Sequence, residues 1–161
     1  MLTLRIINVL LMRKVNKEIL LMPIRFDPQR TQVFVKVLPA IAEFKKAFGR
    51  DIKPDFIAEL YIARELGLEI PDKQTEMGYD AIGPDGKRYQ TKHRSIKTLN
   101  VDLNNFNFDV LVLVNLDDEY QLTGMWSITD TQAKSVFKKR EKFRKYQATQ
   151  DQVKAIAKRI R

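Results

Sequence analysis

Phe108-Asp-Val-Leu-Val-Leu-Val-Asn-Leu116 constrains the fold more than any other segment, because it is almost unbroken β-branched and aliphatic sequence. A strand that is apolar on both sides has to be covered on both sides. It therefore predicts a central strand with packed layers above and below it. Gln121 to Ile128, containing Trp126, returns as a neighbouring strand after the turn Asp117-Asp118-Glu119.

Upstream the apolar period is helical. Phe34, Leu38, Ile41, Phe44 and Phe48 fall on one stripe and predict a first helix from about Asp27 or Thr31 to Phe48. Pro39 is expected to kink or divide it, and Gly49 to stop it. A second helix is expected from Pro54 or Asp55 to Leu66, with Phe56, Leu60, Ala63 and Leu66 as its apolar stripe. Glu59 borders that stripe. From Met77 the period becomes two, and Met77–Ile82 and Arg88–His93 read as strands around Gly83-Pro84-Asp85-Gly86-Lys87. Pro and Asp suit a type I turn, and Gly86 suits the left-handed position of a three-residue hairpin loop. After the strands, Thr129 or Asp130 is expected to cap a helix reaching about Tyr146, and Thr149 with Gln152 to open a short last helix.

The expected fold is α+β, with helices flanking one mixed sheet in the order helix-strand-strand-strand-strand-helix. Residues 25–146 form one domain and residues 147–161 a basic C-terminal helix. Residues 1–24, rich in Leu and Ile but interrupted by Arg5, Arg13, Lys14 and Lys17, are an extension. That extension is either an amphipathic helix or sequence upstream of a start at Met12 or Met22. No uncharged run approaches the roughly 20 residues of a membrane span, so no membrane partner is expected, and the expected location is the cytoplasm.

With no cysteine and a single histidine, His93, the chain has neither a thiolate zinc site nor a multi-histidine site. Any metal is expected on oxygen ligands, which favours magnesium or manganese. The net charge is +9, and residues 131–161 carry all of it, with 11 Lys or Arg against Glu141 and Asp151. Such a block is expected to face a polyanion, here nucleic acid. Its densest run is Lys134, Lys138, Lys139, Arg140, Lys142, Arg144 and Lys145. Phe137 and Phe143 are expected to anchor one helical face while the cations meet phosphates.

With Pro84-Asp85-Gly86 as the loop, Ile82 faces Arg88, Ala81 faces Tyr89 and Asp80 faces Gln90. Lys92 shares the Gln90 side. Asp80, Gln90 and Lys92 should therefore cluster, with Arg88 and Arg94 on the same side as phosphate contacts. A carboxylate and an amide oxygen can ligate a hard cation that polarises a phosphodiester, and the ammonium can steady developing negative charge. The bland alternative is a cross-strand ion pair on a solvated face.

Asp80, a turn, then Gln90-Thr91-Lys92, preceded by the helical Glu59 and followed by an apolar strand, resembles the PD-(D/E)XK nuclease superfamily over residues 54 to 140. The resemblance implies a restriction-endonuclease-like core and a magnesium- or manganese-dependent endonuclease acting on DNA. Asp80 then matches the metal-binding aspartate, Gln90 the second acidic position, Lys92 the catalytic lysine and Glu59 a helical glutamate some members carry. The sequence departs from the pattern at Gln90, a neutral and poorer cation ligand, and at Tyr79 where the name has Pro. A homodimer, as small nucleases of this kind often form to cut both strands, is a further expectation. Two rivals stay open: a catalytically inactive nucleic-acid-binding module of the same fold, and an interaction protein whose basic tail meets an acidic partner.

Overall fold

A computed structural model of the chain describes residues 24–48, 53–71, 78–95 and 97–161. Expectations for the N-terminal extension before Ile24, for the stop at Gly49 and for a strand beginning at Met77 lie outside the described residues.

The architecture is mixed α+β, and the described strands form two sheets where one was expected. In chain order the elements are α1 (Pro28–Phe48), α2 (Pro54–Leu66), β1 (Ala81–Ile82), β2 (Arg88–Arg94), β3 (Asn100–Leu103), β4 (Val110–Leu116), β5 (Leu122–Thr129), α3 (Asp130–Val136), β6 (Lys138–Arg140), β7 (Lys145–Thr149), α4 (Gln150–Ile156) and β8 (Lys158–Arg159). The first sheet has the order β1-β2-β4-β5-β8, and the second β3-β7-β6. Within the first, β2 and β4 run parallel and the other pairs antiparallel, so the sheet is mixed.

Strand β4 is central and covered on both sides. Val112 and Val114 join Tyr61, Ile62, Phe34 and Leu38 in a core beneath α1 and α2. Leu111 and Leu113 join Val101, Leu103, Phe137, Ala148 and Val153 in a second core. Helix α1 runs through Pro39 as one element, and Pro54 opens α2. In α1, Phe34 and Leu38 are buried as expected and Ile41 packs against the same core, whereas the stripe of α2 is rotated. In α2 the buried residues are Ile57, Ala58, Tyr61, Ile62 and Ala63, and Phe56 is 42% exposed, as is Phe44 of α1. Helix α2 packs between the sheet and α1, so two of its faces are covered where a single stripe predicts one.

The largest correction concerns the basic helix expected to reach Tyr146. Helix α3 ends after seven residues, and the densest basic run forms the antiparallel ribbon β6–β7, turned by a 3-10 segment at Glu141–Phe143. A helix through this run would set Lys138 against Lys142, Lys139 against Lys142, and Arg140 against Arg144, and like charges three or four apart repel. The extended ribbon instead pairs β7 with β3 and seats Tyr146 and Phe137 against Phe106, at ring separations of 4.6 Å and 6.5 Å. Phe137 is buried, but Phe143 is 63% exposed and anchors nothing. The C-terminal segment is likewise only partly helical. Thr149 and Gln152 form the expected capping box on α4, after which β8 joins the edge of the main sheet.

Reaching β4 from β2 requires a crossover, and a buried polar network ties it down. Asn115 Nδ2 donates to the Arg94 carbonyl (2.7 Å) and to Gln150 Oε1 (2.9 Å), and Lys154 Nζ donates to Asn115 Oδ1 (2.7 Å). Gln150 Nε2 in turn donates to the carbonyls of Ser95 and Thr98. Replacing Asn115 with Leu keeps the branching but strands Gln150, Lys154 and the Arg94 carbonyl. The expected cost is about 2–4 kcal/mol in chemical denaturation, and adding Gln150→Leu, which also strands the Ser95 and Thr98 carbonyls, should not recover it.

Candidate active site

The hairpin forms in the expected register, with Ala81 opposite Tyr89 and Ile82 opposite Arg88. The Gly83 N–H donates to the Lys87 carbonyl and the Gly86 N–H to the Gly83 carbonyl, with Gly86 at φ 78°. Only glycine takes that conformation without strain. Strand β1 begins at Ala81, yet Asp80 still meets β2 twice: its main-chain N–H donates to the Tyr89 carbonyl at 2.8 Å, and its side chain reaches further along the strand. Asp80 Oδ2 accepts the Thr91 N–H at 2.7 Å and an N–H of the Gln90 amide. A continued ladder would have brought the Thr91 N–H a main-chain carbonyl; the carboxylate takes that place.

Lys92 lies two residues beyond Gln90 on the same side of β2. Asp80, Gln90 and Lys92 together line a polar cleft of about 180 Å3, closed by Gly78, Tyr79, Leu103, Asn104 and Asn105. The residues after β3 form one wall. Asn105 Oδ1 accepts the Asn107 N–H at 3.0 Å, and a Cβ at Gly78 would sit 3.2 Å from Asn107 Cβ. Glycine at 78 therefore lets this loop close on the site. The sequence reading did not include Asn104 and Asn105. Their signal was an adjacent pair of amides after the alternating Asn100-Val101-Asp102-Leu103.

Burial acts on both ionisable members. It pushes the Asp80 carboxyl above its ordinary range, against the Thr91 N–H and the Lys92 charge, with Asp55 adding to the rise. Burial likewise pulls Lys92 below the ordinary lysine range, against Asp80, with Arg94 adding to the fall and Asp55 and Asp102 opposing it. A carboxylate and an ammonium displaced toward neutrality in one cleft mark a desolvated pair rather than a solvated one.

The other candidates are placed differently. Glu59 lines a separate groove between α1 and α2, with Phe26, Val33 and Phe56, and is not among the residues lining the Asp80 cleft. The acid of α2 that acts on the cleft is Asp55, which also stands 3.8 Å from His93 Nδ1. His93 lies on the side of β2 opposite Lys92, as its position in the strand predicts. Arg88 is held by Asp109, its Nε and Nη2 each 3.0 Å from a carboxylate oxygen, and this holds the Asp109 carboxyl down to about 2. Arg94 donates to the carbonyls of Asn100 and His93. Lys138, Lys139, Arg140, Lys142, Arg144 and Lys145 are exposed on the ribbon, with Lys139 paired to Glu141 at 2.8 Å.

The cleft offers oxygen donors for a hard cation, but only one of them, Asp80, is a carboxylate. Among the described residues there is no cluster of three acidic or histidine side chains. The Gln90 amide nitrogen faces Asp80, so Gln90 here steadies the carboxylate. No helix among the described residues is long and apolar enough to cross a membrane. No protein-family model matches the chain, and no curated protein is significantly similar to it.

The signs of the two shifts lead to a stability test. The cost of ionised Asp80 is full above its raised folded pKa and fades as pH falls from there toward the ordinary aspartate value. The cost of charged Lys92 is full below its lowered folded pKa and fades as pH rises toward the ordinary lysine value. Asp80→Asn and Lys92→Met should each raise the thermal midpoint at neutral pH. The Asp80→Asn advantage shrinks in acid and the Lys92→Met advantage shrinks in base, as read by calorimetry across pH.

Proposed function

We propose that the chain is a divalent-metal-dependent nuclease of the PD-(D/E)XK kind, hydrolysing phosphodiester bonds in DNA at the Asp80–Gln90–Lys92 cleft. The observation that carries this reading is the convergence of those three side chains in one desolvated polar cleft, within a helix, hairpin and mixed-sheet order like that of a restriction-endonuclease-like core.

Asp80 would hold a magnesium or manganese ion, and Gln90 can turn its amide to present Oε1 once a cation rather than a bare carboxylate faces it. Such an ion, when bound, polarises the phosphate and neutralises part of its charge. The chain's own residues do the rest. The Thr91 N–H fixes the Asp80 carboxylate, so it does not rearrange during reaction. Lys92 meets the charge that builds on the phosphoryl oxygens, and its partial desolvation strengthens that attraction. Asn104 and Asn105 offer amide N–H groups to a phosphate or sugar entering the cleft. The ribbon cations supply affinity without sequence readout.

A second reading is a binding module of the same fold without catalysis. Gln90 favours it, because a neutral amide stands where the nuclease pattern has a second acid.

The test is cleavage of plasmid and oligonucleotide DNA with magnesium or manganese. Asp80→Asn and Lys92→Met should each lower the rate by about 10²–10³ while DNA binding in chelator stays within about two-fold. Cleavage that persists unchanged in both variants rejects the nuclease. Salt-dependent binding with no metal-dependent cutting selects the second reading.

A further inference from the structure

The ribbon β6–β7 has a feature that phosphate attraction does not explain. Its eight residues Lys138 to Lys145 hold six cations and one carboxylate, and at the turn sits Phe143. A buried aromatic stabilises a core, whereas this one is 63% exposed. The Lys142 ammonium lies 5.7 Å from its ring, and Arg144 follows at φ 50°, closing the 3-10 turn through its N–H to the Glu141 carbonyl. The ring is therefore held out at the tip of a rigid paired ribbon and flanked by cations on both sides in sequence.

The ribbon also adjoins the cleft. Strand β3 pairs with β7 on one side, and the residues that follow it wall the Asp80 site. Phe143, Arg140 and Lys145 border a second hollow of about 240 Å3 with Asp102 and Gln147, next along β3 from the cleft. Asp102 is the one acid there and is held by Gln147 Nε2 at 3.0 Å. The cleft and the hollow thus meet at neighbouring β3 residues, Leu103 in one and Asp102 in the other.

We propose that Phe143 is a stacking platform for an unpaired base, so that the chain prefers single-stranded or locally opened nucleic acid over closed duplex. The inference rests on the reading of the chain as a nucleic-acid enzyme or binder and names the substrate class of that site. Cations flanking an exposed aromatic ring are the parts of a single-strand site. The cations follow the backbone, and the ring takes a base face of any sequence. A closed duplex buries its base faces and leaves the ring nothing to stack on.

The experiment measures binding at low salt in chelator, so that cutting does not enter, to a labelled oligothymidylate and to a hairpin duplex of similar length. Wild type should bind the single strand more tightly. Phe143→Leu should weaken that binding by about five-fold or more, Phe143→Trp should keep it, and both should bind the duplex as wild type does. An unchanged single-strand affinity in Phe143→Leu, or equal losses on both probes, overturns the stacking role and leaves the nucleic-acid reading standing. If wild type binds neither probe, both fall. Retention in Phe143→Leu together with loss in Phe143→Trp also rejects stacking.

Discussion

The structure depends on β4 being apolar on both sides and paired in parallel with β2. An apolar strand needs a layer on each face, and a parallel neighbour needs a crossover between its end and the next start. On one face α1 and α2 supply the layer. On the other, the crossover itself becomes β3, which recruits β7 and β6 into a second sheet. The same crossover then runs past Asp80, Gln90 and Lys92 and walls their cleft. One packing demand at the centre of the main sheet thus produces both the second core and the enclosure of the candidate site.

The enclosure sets the chemistry. Lys92 and Asp80 on an open sheet face would be a screened ion pair worth little. Covered by the Gly78–Asp80 and Leu103–Asn105 segments, each costs free energy to ionise. The chain retains that cost at a place where apolar residues would pack more favourably. The Thr91 N–H offsets part of it by fixing the carboxylate, and Asp55 and Asp102 lend opposite charge to Lys92. This tension between stability and charge at one cleft is what points to function.

What was legible in the sequence was what local rules govern. The hairpin register followed from one turn whose Pro, Asp and Gly each have a single natural position, and the Asp80–Gln90 juxtaposition followed from it. The central strand was legible from its unbroken aliphatic run, and the Thr149–Gln152 capping box from its spacing. What failed depended on tertiary partners. Phe137 and Phe143 suggested one anchored helical face, but Tyr146 and Phe137 bury against Phe106 in an extended ribbon, where the like charges of the run are not stacked along a helix. Strand β3 was missed because Val101 and Leu103 alternate over only four residues. Glu59 looked like a site residue by its place beside an apolar stripe, yet that stripe was rotated by the double burial of α2, and Glu59 turned toward α1.

In the proposed nuclease a single carboxylate would leave the cation site incomplete until a phosphate arrived, so cation and nucleic acid should each tighten the other's binding by the same factor. The most direct measurement is manganese affinity, read by electron paramagnetic resonance, with and without a nuclease-resistant phosphorothioate oligonucleotide. The account predicts weak manganese binding to the protein alone, tightened about ten-fold or more by the oligonucleotide beyond what the oligonucleotide binds by itself, and lost in Asp80→Asn. Manganese binding that the oligonucleotide leaves unchanged, or that survives in Asp80→Asn, would contradict it.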